Sequence, residues 1–525
     1  MTTSSSMISA FLMPALSRRS LVAGAATAAA AGCAVATSAS PLTARASEAP
    51  AWDIEADVVV VGSGAAGISA AVAAIEAGAD VVMVEKWDTL GGISASCVQF
   101  CAYDSDLHTP QPFADVTDDV EQMFAASMEA SGNTADPAFL RFICETSPDV
   151  IDWMVAHGCE FKENLRPSDG RKGQGKYITA TPGELVSKLM PLVQERGRVL
   201  AGHKLAELVY DPQADRVTGV VCEAPDGPVR IGAAGGVVVC SGPWPDDEVL
   251  GARHLPAAMG EMPAAVAQTM VSMGMPFGPY TGEAVRAAQK IGAAVRHMEY
   301  VMPDPYYAVP ELMLQRVAAF GVSRSVNQVL IGSDGRRFTD EGKMRGAIAV
   351  DVMNQPGSVC YPVTDGHIVP SQLQMGGSVE AMEQWAADGH VARGETLEEL
   401  AANMEELFGT PADEVLATLT RYNEFCAAGF DDDFGKDPHY LAPYDQPPFY
   451  AGPAETCRYL YTHGGLDTDL QAQVQGIDGA PIAGLYAAGM CTGGHLGTDT
   501  ISGNWQLDAV VFGRIAGANA AAAAC

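Results

Sequence analysis

The sequence is poor in basic residues and lacks the cysteine spacings of haem, iron–sulfur and zinc sites. Its 31 Lys and Arg stand against 64 Asp and Glu, a formal net charge of −33. This balance excludes nucleic acids and anionic membranes as partners, because both are bound by basic surfaces. The 12 cysteines include no Cys-x-x-Cys pair and no Cys-x-x-Cys-His haem site. Beyond the N-terminal segment, no apolar run reaches the roughly 18–20 residues of a membrane-spanning helix, so the body of the chain is expected to be soluble.

The first 46 residues have the composition of an export signal. Arg18 and Arg19, in Ser-Arg-Arg-Ser-Leu-Val, form a twin-arginine pattern before an Ala-rich stretch without acidic residues. Ala-Arg-Ala at 44–46 is a small-x-small cleavage site, and a lipoprotein-like box ends at Cys33. We expect a signal peptide over 1–46, twin-arginine export to the periplasm or cell envelope, and either peptidase cleavage or lipid anchoring at Cys33. A disordered Ala-rich tail is the alternative.

A dinucleotide-binding fingerprint follows this segment. The β-branched run at 57–61 predicts a buried parallel strand, Gly-Ser-Gly-Ala-Ala-Gly at 62–67 opens an Ala-rich helix, and a second strand at 81–84 ends at Glu85. The glycines allow a tight turn, close approach of a pyrophosphate and close packing of helix on strand. The helix N-terminus faces the phosphates, and Glu85 can bond the adenosine ribose. The complete βαβ unit indicates a bound dinucleotide.

The segments around this unit favour FAD over NAD. Leu-Gly-Gly-Ile-Ser at 90–94 can wrap a pyrophosphate, and the strand and turn at 484–489 return to the same site from more than 400 residues away. No second Gly-x-Gly-x-x-Gly occurs, so no separate nicotinamide site is predicted. Cys97 and Cys101 lie beside the expected flavin, either as buried small residues or as a redox pair. We expect one non-covalent FAD per chain.

Together these motifs resemble the FAD-binding family of flavocytochrome fumarate reductases, urocanate reductases and ketosteroid dehydrogenases, over about residues 54–521. The resemblance implies an α/β fold in which a Rossmann-like FAD-binding domain, 52–304 and 451–525, carries an inserted α+β capping domain at 305–450. Substrate would bind between cap and flavin. Glu283 replaces the Asp of a family Thr-Gly-Asp-Gly turn, and Met490 replaces a Glu. The expected FAD contacts are Gly62, Gly64, Ala65, Ala66, Gly67, Glu85, Lys86, Gly91, Gly92, Ser94, Glu283, Gly489, Asn504, Gln506 and Leu507.

Residues 334–345 match the reductase motif Gly-x-Arg-Phe-x-x-Glu-x-x-x-Arg. In the reductases, the closing Arg, here Arg345, gives a proton to the substrate, and a second Arg, here Arg324, supplies that proton. The resemblance thus implies hydride transfer from flavin N5 to one carbon of a polarised C=C bond and proton transfer from Arg345 to its neighbour. A guanidinium is a very weak acid, so this role requires a relay and a dry site. The Glu that links the two arginines in the family is absent here, because Phe320 and Gly321 occupy its region.

The carboxylate clamp of the fumarate reductases is replaced. Its two His and one Arg correspond to Asp304, Tyr461 and Thr500 here. A buried dicarboxylate would meet Asp304 without a compensating cation, which is unfavourable. We therefore expect a neutral enone, lactone, steroid-like or phenolic substrate, with Tyr461 bonding a carbonyl oxygen. His463, next to Tyr461, is either a general acid–base or an anchor for the backbone.

The preferred hypothesis is an exported reductase of a C=C bond that uses its substrate as a respiratory electron acceptor. It requires an external electron donor, a cytochrome or a membrane quinol-linked protein, since neither haem motif nor nicotinamide site is present. The first alternative is a ketosteroid-type dehydrogenase that introduces a C=C bond, with Tyr461 reacting. Retention of Arg345 favours reduction, because those dehydrogenases rely on a Tyr acid–base set. A non-catalytic FAD-bearing binding protein is the alternative of another class.

Overall fold

The β-branched run at the start of the fingerprint forms the central strand of the main sheet. Strand β1 (Ile54–Val61) pairs in parallel with β2 (Val81–Val84) on one side and with β9 (Gly227–Val239) on the other. Beyond them, β6 (Arg198–Leu200) extends the sheet next to β2, and β19 (Pro481–Ala487) extends it next to β9. With β18 (Gln473–Gln475) next to β19, the strand order β18-β19-β9-β1-β2-β6 brings the C-terminal segment into the sheet of the fingerprint.

The structure is a computed structural model, and it describes residues 51–97, 99–103, 120–162, 176–180, 183–254, 280–307, 327–366, 379–501 and 503–524. All of them belong to the compact unit Ala51–Cys525. The twin-arginine segment, Cys33 and Arg324 lie outside the described residues. In the part of the chain that the structure describes, no helix combines the length and the apolar character that a membrane crossing requires.

The remaining elements are helices, further strands of the main sheet and the strands of two small sheets. The helices are α1 (Ala65–Glu76), α2 (Val120–Ala130), α3 (Pro137–Ala156), α4 (Glu184–Arg196), α5 (Glu248–His254), α6 (Glu283–Lys290), α7 (Arg345–Met353), α8 (Val379–Ala387), α9 (Leu397–Phe408), α10 (Ala412–Ala428) and α11 (Asn504–Ala522). The main sheet also contains β7 (Lys204–Asp211), β8 (Arg216–Ala224) and β18 (Gln473–Gln475). Two small sheets consist of β3 (Gln99–Ala102), β4 (Phe161–Lys162) and β5 (Lys176–Ala180), and of β10 (Val295–Arg296) and β17 (Gly465–Leu466).

Strand β1 is buried on both faces, as its continuous β-branched run requires. Val58 and Val60 point into the hydrophobic core that contains α1, α3 and α11. Val59 and Val61 point into a second core, formed with β7, β8 and α6. Alternate residues of one strand therefore join two cores, because successive side chains point to opposite faces.

Helices α1 and α11 lie in close contact because their facing residues are small. A Cβ atom at Gly513 would lie 2.4 Å from the carbonyl oxygen of Ala66, and one at Gly517 would lie 2.0 Å from that of Ala70. No larger side chain fits at these two positions without moving the backbone. The C-terminal helix is thereby fixed against the helix of the fingerprint.

The reductase motif follows a strand of a second sheet, which has six strands. The strands of this sheet are β11 (Val301–Tyr307), β12 (Val329–Gly332), β13 (Val359–Thr364), β14 (Ala392–Gly394), β15 (Phe449–Ala451) and β16 (Glu455–Thr462). Helices α9 and α10 pack against it around a core of its own. The sheet includes strands on both sides of the capping insertion predicted at 305–450, so its edges extend beyond those bounds. The division of the chain into domains stays a prediction.

Part of the reductase motif is held in a buried network of ion pairs beside this second sheet. Arg337 pairs with Glu341 at 2.8 Å and with Asp431 at 2.8 Å, and Lys436 reaches Glu341 at 3.1 Å. All four side chains are buried. Two cations and two carboxylates balance each other, as buried charges require. The network fixes the segment that leads into α7, which begins at Arg345.

Candidate active site

The carboxyl ends of the parallel strands of the main sheet converge on one large cavity. It encloses about 930 Å³ of empty space, part of it open to solvent. Its lining includes Gly62, Glu85, Cys240 and Ala488, which follow β1, β2, β9 and β19 respectively. Ligands of open parallel sheets bind at this edge, and the size suits a large organic cofactor.

The fingerprint glycines differ in what surrounds them, and the differences fit a dinucleotide. A Cβ at Gly62 would lie 2.3 Å from the carbonyl oxygen of Cys240, and one at Gly67 would lie 1.9 Å from that of Gly62. The nearest atom to a Cβ at Gly64, by contrast, is the Ser94 Oγ at 3.8 Å. Gly62 and Gly67 are required by the turn and the helix packing. Gly64 leaves open space beside the N-terminus of α1, where a pyrophosphate would lie.

Glu85 is held in place by the turn it was predicted to support. Its Oε2 accepts hydrogen bonds from the Ser63 backbone N at 3.0 Å and from the Ser63 Oγ at 2.7 Å. The Oε1 atom accepts from the Trp87 backbone N at 3.1 Å. Next to it, Lys86 pairs with Glu283 at 3.3 Å, while the Glu283 Oε2 is buried without a hydrogen-bond partner among the described residues. Two carboxyl groups at this end of the cavity could thus bind ribose hydroxyls.

The structure brings most of the predicted FAD contacts together. Eleven of the fifteen predicted residues line the cavity: Gly62, Gly64, Ala65, Ala66, Glu85, Lys86, Gly92, Ser94, Glu283, Gly489 and Gln506. Gly67, Gly91, Asn504 and Leu507 do not line it. Gly67 packs against Gly62, the Gly91 N donates to the Ser63 Oγ, and Leu507 is fully buried in the hydrophobic core. Asn504 donates instead to Ser127 and Thr500.

Two aromatic residues of the lining were not predicted from the sequence. Tyr280 lines the cavity and is 6% exposed, and its hydroxyl has no hydrogen-bond partner among the residues that the structure describes. Trp505 lines it from the first turn of α11. Tyr280 directly precedes the Thr-Gly-Glu turn, and Trp505 directly follows Asn504, one of the predicted FAD contacts. Their closeness in sequence to predicted FAD contacts was the signal that could have identified them.

Cys101 is buried and Cys97 is half-buried, which favours small packing residues over a redox pair. Neither forms a disulfide with another described cysteine. Burial raises the pKa of the Cys97 thiol to about 12, and burial also raises the pKa of Cys101. Thiol exchange proceeds through the thiolate, so neutral thiols at these positions are unreactive near neutral pH.

Arg345 lies at the N-terminus of α7 and faces an aromatic wall. Its guanidinium carbon is 5.0 Å from the centre of the Trp505 ring. Tyr461 packs against the same indole edge to face, with centroids 4.4 Å apart and planes inclined at 63°. Asp499 accepts a hydrogen bond from the Gly346 N at 2.9 Å, where the helix N-terminus favours a negative charge. We call Arg345, Tyr461, His463, Thr500 and Trp505 the Arg345 cluster.

His463 is engaged through both ring nitrogens. Its Nδ1 bonds the carbonyl oxygen of Gly497, and the Trp505 Nε1 donates to its Nε2 at 2.9 Å. A carbonyl can only accept, so Nδ1 carries the proton and Nε2 the lone pair. Burial, with the charge of Arg345 nearby, lowers the pKa of His463 to about 4. These contacts favour the anchoring role over the general acid–base role.

The other predicted substrate residues are placed as follows. Thr500 is buried, and its Oγ1 accepts from the Asn504 Nδ2 at 3.2 Å. Asp304 lies in β11, paired in register with Arg458 of β16. Arg324 lies outside the described residues. Tyr461 connects the cluster to the cavity, because it packs against Ile93 and Tyr280 of the lining.

Comparison with known proteins agrees with this geometry. The FAD binding domain family matches residues 57–505. The chain is 27% identical over 482 residues to the NADH:fumarate oxidoreductase of Klebsiella pneumoniae, covering 89% of this chain but only 47% of that protein. It is 28% identical over 480 residues to the urocanate reductase of Eggerthella lenta, covering 90% of this chain and 75% of that protein. The structure of the open conformation of a flavocytochrome c3 fumarate reductase superposes with a TM-score of 0.67 at 26% identity, covering 90% of this chain and 79% of the other.

The match confirms the predicted fold, cofactor and enzyme class. Residues 57–505 include the fingerprint, the second sheet and the Arg345 cluster. The glycine pattern and the two carboxyl groups that line the cavity, those of Glu85 and Glu283, fit FAD independently of the comparison. The chain therefore belongs to the FAD binding domain family and is an FAD-dependent oxidoreductase, related to the fumarate reductases, that acts on CH–CH bonds.

Proposed function

We propose that the protein reduces a polarised C=C bond in a substrate that is not a dicarboxylate, outside the cytoplasmic membrane. When bound, FAD supplies the hydride. The observation that carries the proposal is the Arg345 cluster, in which a guanidinium lies on the Trp505 face beside a neutral, fully bonded His463. FAD would be held by the cavity-lining residues named above, without a covalent bond, so acid precipitation should release it.

The charges of the cluster support a substrate without two carboxylates. Among its five described side chains, Arg345 carries the only positive charge, since His463 is neutral and the others are uncharged at pH 7. Tyr461 and Thr500 stand where the fumarate reductases have a His and an Arg. Two carboxylates in a water-poor site would require more cationic partners than this cluster offers. A neutral enone, lactone, steroid-like or phenolic compound fits better.

Arg345 is the proposed proton donor. Its Nε and Nη2 atoms are shielded from solvent and its guanidinium lies on the Trp505 ring, where the local dielectric is lower than that of water. A donor with a fixed direction can act on the substrate carbon next to the one that receives the hydride. Tyr461, partly exposed next to the cavity, could bond a carbonyl oxygen and polarise the C=C bond.

Location and electron donor follow from the sequence rather than from the described residues. The twin-arginine pattern supports export of the folded, FAD-loaded protein. The chain has no haem motif and no second dinucleotide fingerprint, so an external electron donor, a cytochrome or a quinol-linked membrane protein, is proposed to reduce the FAD.

The test is anaerobic reoxidation of the dithionite-reduced holoprotein by a fixed panel. The panel comprises fumarate, urocanate, 2-cyclohexenone, 4-vinylphenol and 4-androstene-3,17-dione, and flavin absorbance is followed. At least one neutral compound should reoxidise the flavin about tenfold faster than fumarate does. Faster reoxidation by fumarate would contradict the substrate class. Bleaching of the oxidised flavin by a saturated 3-ketosteroid, without dithionite, would favour the dehydrogenase instead.

A further inference from the structure

We propose that Trp505 is a positioning residue that orients Arg345 towards the substrate, and that His463 holds Trp505 in place. The inference rests on the proposed role of Arg345 and deepens it. It assigns functions to a tryptophan that no motif marks and to a histidine whose chemistry is otherwise unused.

The first support is the hydrogen-bonded path from the backbone to the indole. Gly497 accepts from the His463 Nδ1, and the His463 Nε2 accepts from the Trp505 Nε1 at 2.9 Å. His463 is 5% and Trp505 is 9% exposed. A buried indole N–H requires an acceptor, so loss of the imidazole leaves that donor unsatisfied. The plane of the indole is therefore set by His463.

The second support is that the backbone of Trp505 is fixed as well. Gly503, the residue before α11, has a φ of +93°, and a Cβ there would lie 2.7 Å from the Cys101 backbone N. Only glycine fits a turn with this conformation and this close approach. The first turn of α11 is thus fixed relative to β3. This also fixes the point from which the Trp505 side chain leaves the backbone.

The third support is the contact with Arg345 itself. A guanidinium 5.0 Å from an indole centroid is within the range of cation–π attraction. Arginine favours stacking of this kind, and its long side chain otherwise has many rotamers. The indole face selects those rotamers that lie flat on it. From the general strength of such contacts, we expect the indole to raise the population of the aligned Arg345 rotamers about 2- to 30-fold.

The kinetic test uses a double-mutant cycle in the reduced holoenzyme, with the panel compound that reoxidises it fastest. Trp505→Leu should lower kcat about tenfold and change KM less than twofold, because alignment of the donor is lost and not substrate affinity. In the Arg345→Ala background, Trp505→Leu should cause no further loss. An equal tenfold loss in both backgrounds would overturn the inference, since Trp505 would then act independently of Arg345.

Conservative variants separate positioning from general structural damage. Trp505→Phe keeps an aromatic face and should retain more activity than Trp505→Leu. His463→Gln keeps an acceptor near the Nε2 position and should retain most of kcat, whereas His463→Leu should resemble Trp505→Leu. Equal activity of the two His463 variants would contradict the role of the hydrogen bond. FAD content is measured for every variant, because Trp505 also lines the cavity.

A matched control lies elsewhere in the chain. Trp153 has the same kinds of neighbour, with the Arg514 guanidinium carbon 4.9 Å from its ring and the His157 ring centroid at 4.6 Å. It does not line the cavity, so Trp153→Leu should leave kcat and KM unchanged. A tenfold loss in Trp153→Leu as well would show that the Trp505 effect is not specific, and it would overturn the inference.

The melting temperature of the FAD-loaded protein gives a second, activity-independent cycle. The shifts caused by Arg345→Ala and Trp505→Leu should not add in the double variant, because both remove one contact. Additive shifts would overturn the contact. If Arg345→Ala turns over at the wild-type rate while the shifts are non-additive, the proposed proton donor is wrong, but the contact itself stands.

Discussion

At the scale of single residues, Arg345 is the side chain on which the proposed chemistry depends. Arg345→Ala should bind FAD and accept electrons from dithionite, yet lose at least about a hundredfold in kcat, since general-acid steps contribute about 10²–10⁴-fold. Stopped-flow absorbance measures flavin reduction by dithionite and flavin reoxidation by substrate separately. Arg345→Lys should recover little, because an ammonium neither matches the planar guanidinium nor stacks in the same way on Trp505. Wild-type turnover in Arg345→Ala would favour the dehydrogenase with Tyr461 as the reacting group.

His463 predicts a specific pH dependence of stability. Burial and the nearby Arg345 lower its pKa to about 4, whereas an unfolded His titrates near 6.5. Between these values the unfolded chain binds a proton that the folded protein does not, so stability decreases as the pH falls through this window. The full contribution is about 3 kcal/mol. The melting temperature should therefore fall less steeply from pH 7 to 4.5 in His463→Gln than in the wild type; parallel curves would argue against a lowered pKa.

Tyr280 is expected to contribute a hydrogen bond to FAD. Its hydroxyl is buried in the cavity lining without a partner among the described residues, and burial raises the pKa of the phenol, which keeps it a neutral donor. One hydrogen bond of about 0.5–1.5 kcal/mol corresponds to about 2- to 12-fold in affinity. Fluorescence titration of the apoprotein with FAD should show this weakening in Tyr280→Phe. Tyr361→Phe, at an equally buried tyrosine of the second sheet, should leave the affinity unchanged.

At the scale of elements, two glycines in the strand–turn–helix unit of the fingerprint allow FAD binding to be tested separately from folding. Gly64→Val should fold, because the nearest atom to its Cβ is 3.8 Å away, but it should bind no FAD because the side chain fills the space of the pyrophosphate. Gly67→Val should unfold or melt far lower, since its Cβ would lie 1.9 Å from the Gly62 carbonyl oxygen. Circular dichroism and flavin absorbance together test the pair. Tight FAD binding by Gly64→Val would contradict this placement of the cofactor.

The reductase motif likewise divides into two roles that its sequence does not separate. Arg337 and Glu341 are buried ion-pair partners of Asp431 and Lys436. Arg345, the last residue of the motif, lies instead in the Arg345 cluster beside the cavity. The motif could be recognised from its spacing, but the partners at 431 and 436 are far away in sequence. Their contribution could not be predicted from local pattern.

At the scale of the whole molecule, export is the property to test. Replacing Arg18 and Arg19 together with Lys should leave a folded, yellow precursor in the cytoplasm, because the twin-arginine pathway recognises the paired arginines. Cell fractionation with flavin absorbance measures the distribution. Replacing Lys204 and Lys290, two basic residues of the body, with Arg is the control and should not alter it. Normal export of the double-Lys variant would contradict the twin-arginine prediction.

The amino-acid sequence alone determined the βαβ unit, the FAD cofactor and the family, because these depend on short segments whose glycine spacing and strand periodicity are local. It also located eleven lining residues of the cavity. The roles of His463 and Trp505 were decided only by the tertiary structure: a turn between β16 and β17 meets the first turn of α11, and their hydrogen bond spans 42 residues of chain. A lone histidine has the same appearance in sequence whether it donates protons or anchors an indole. Its partners and its burial, which set its pKa, exist only after the two segments pack together.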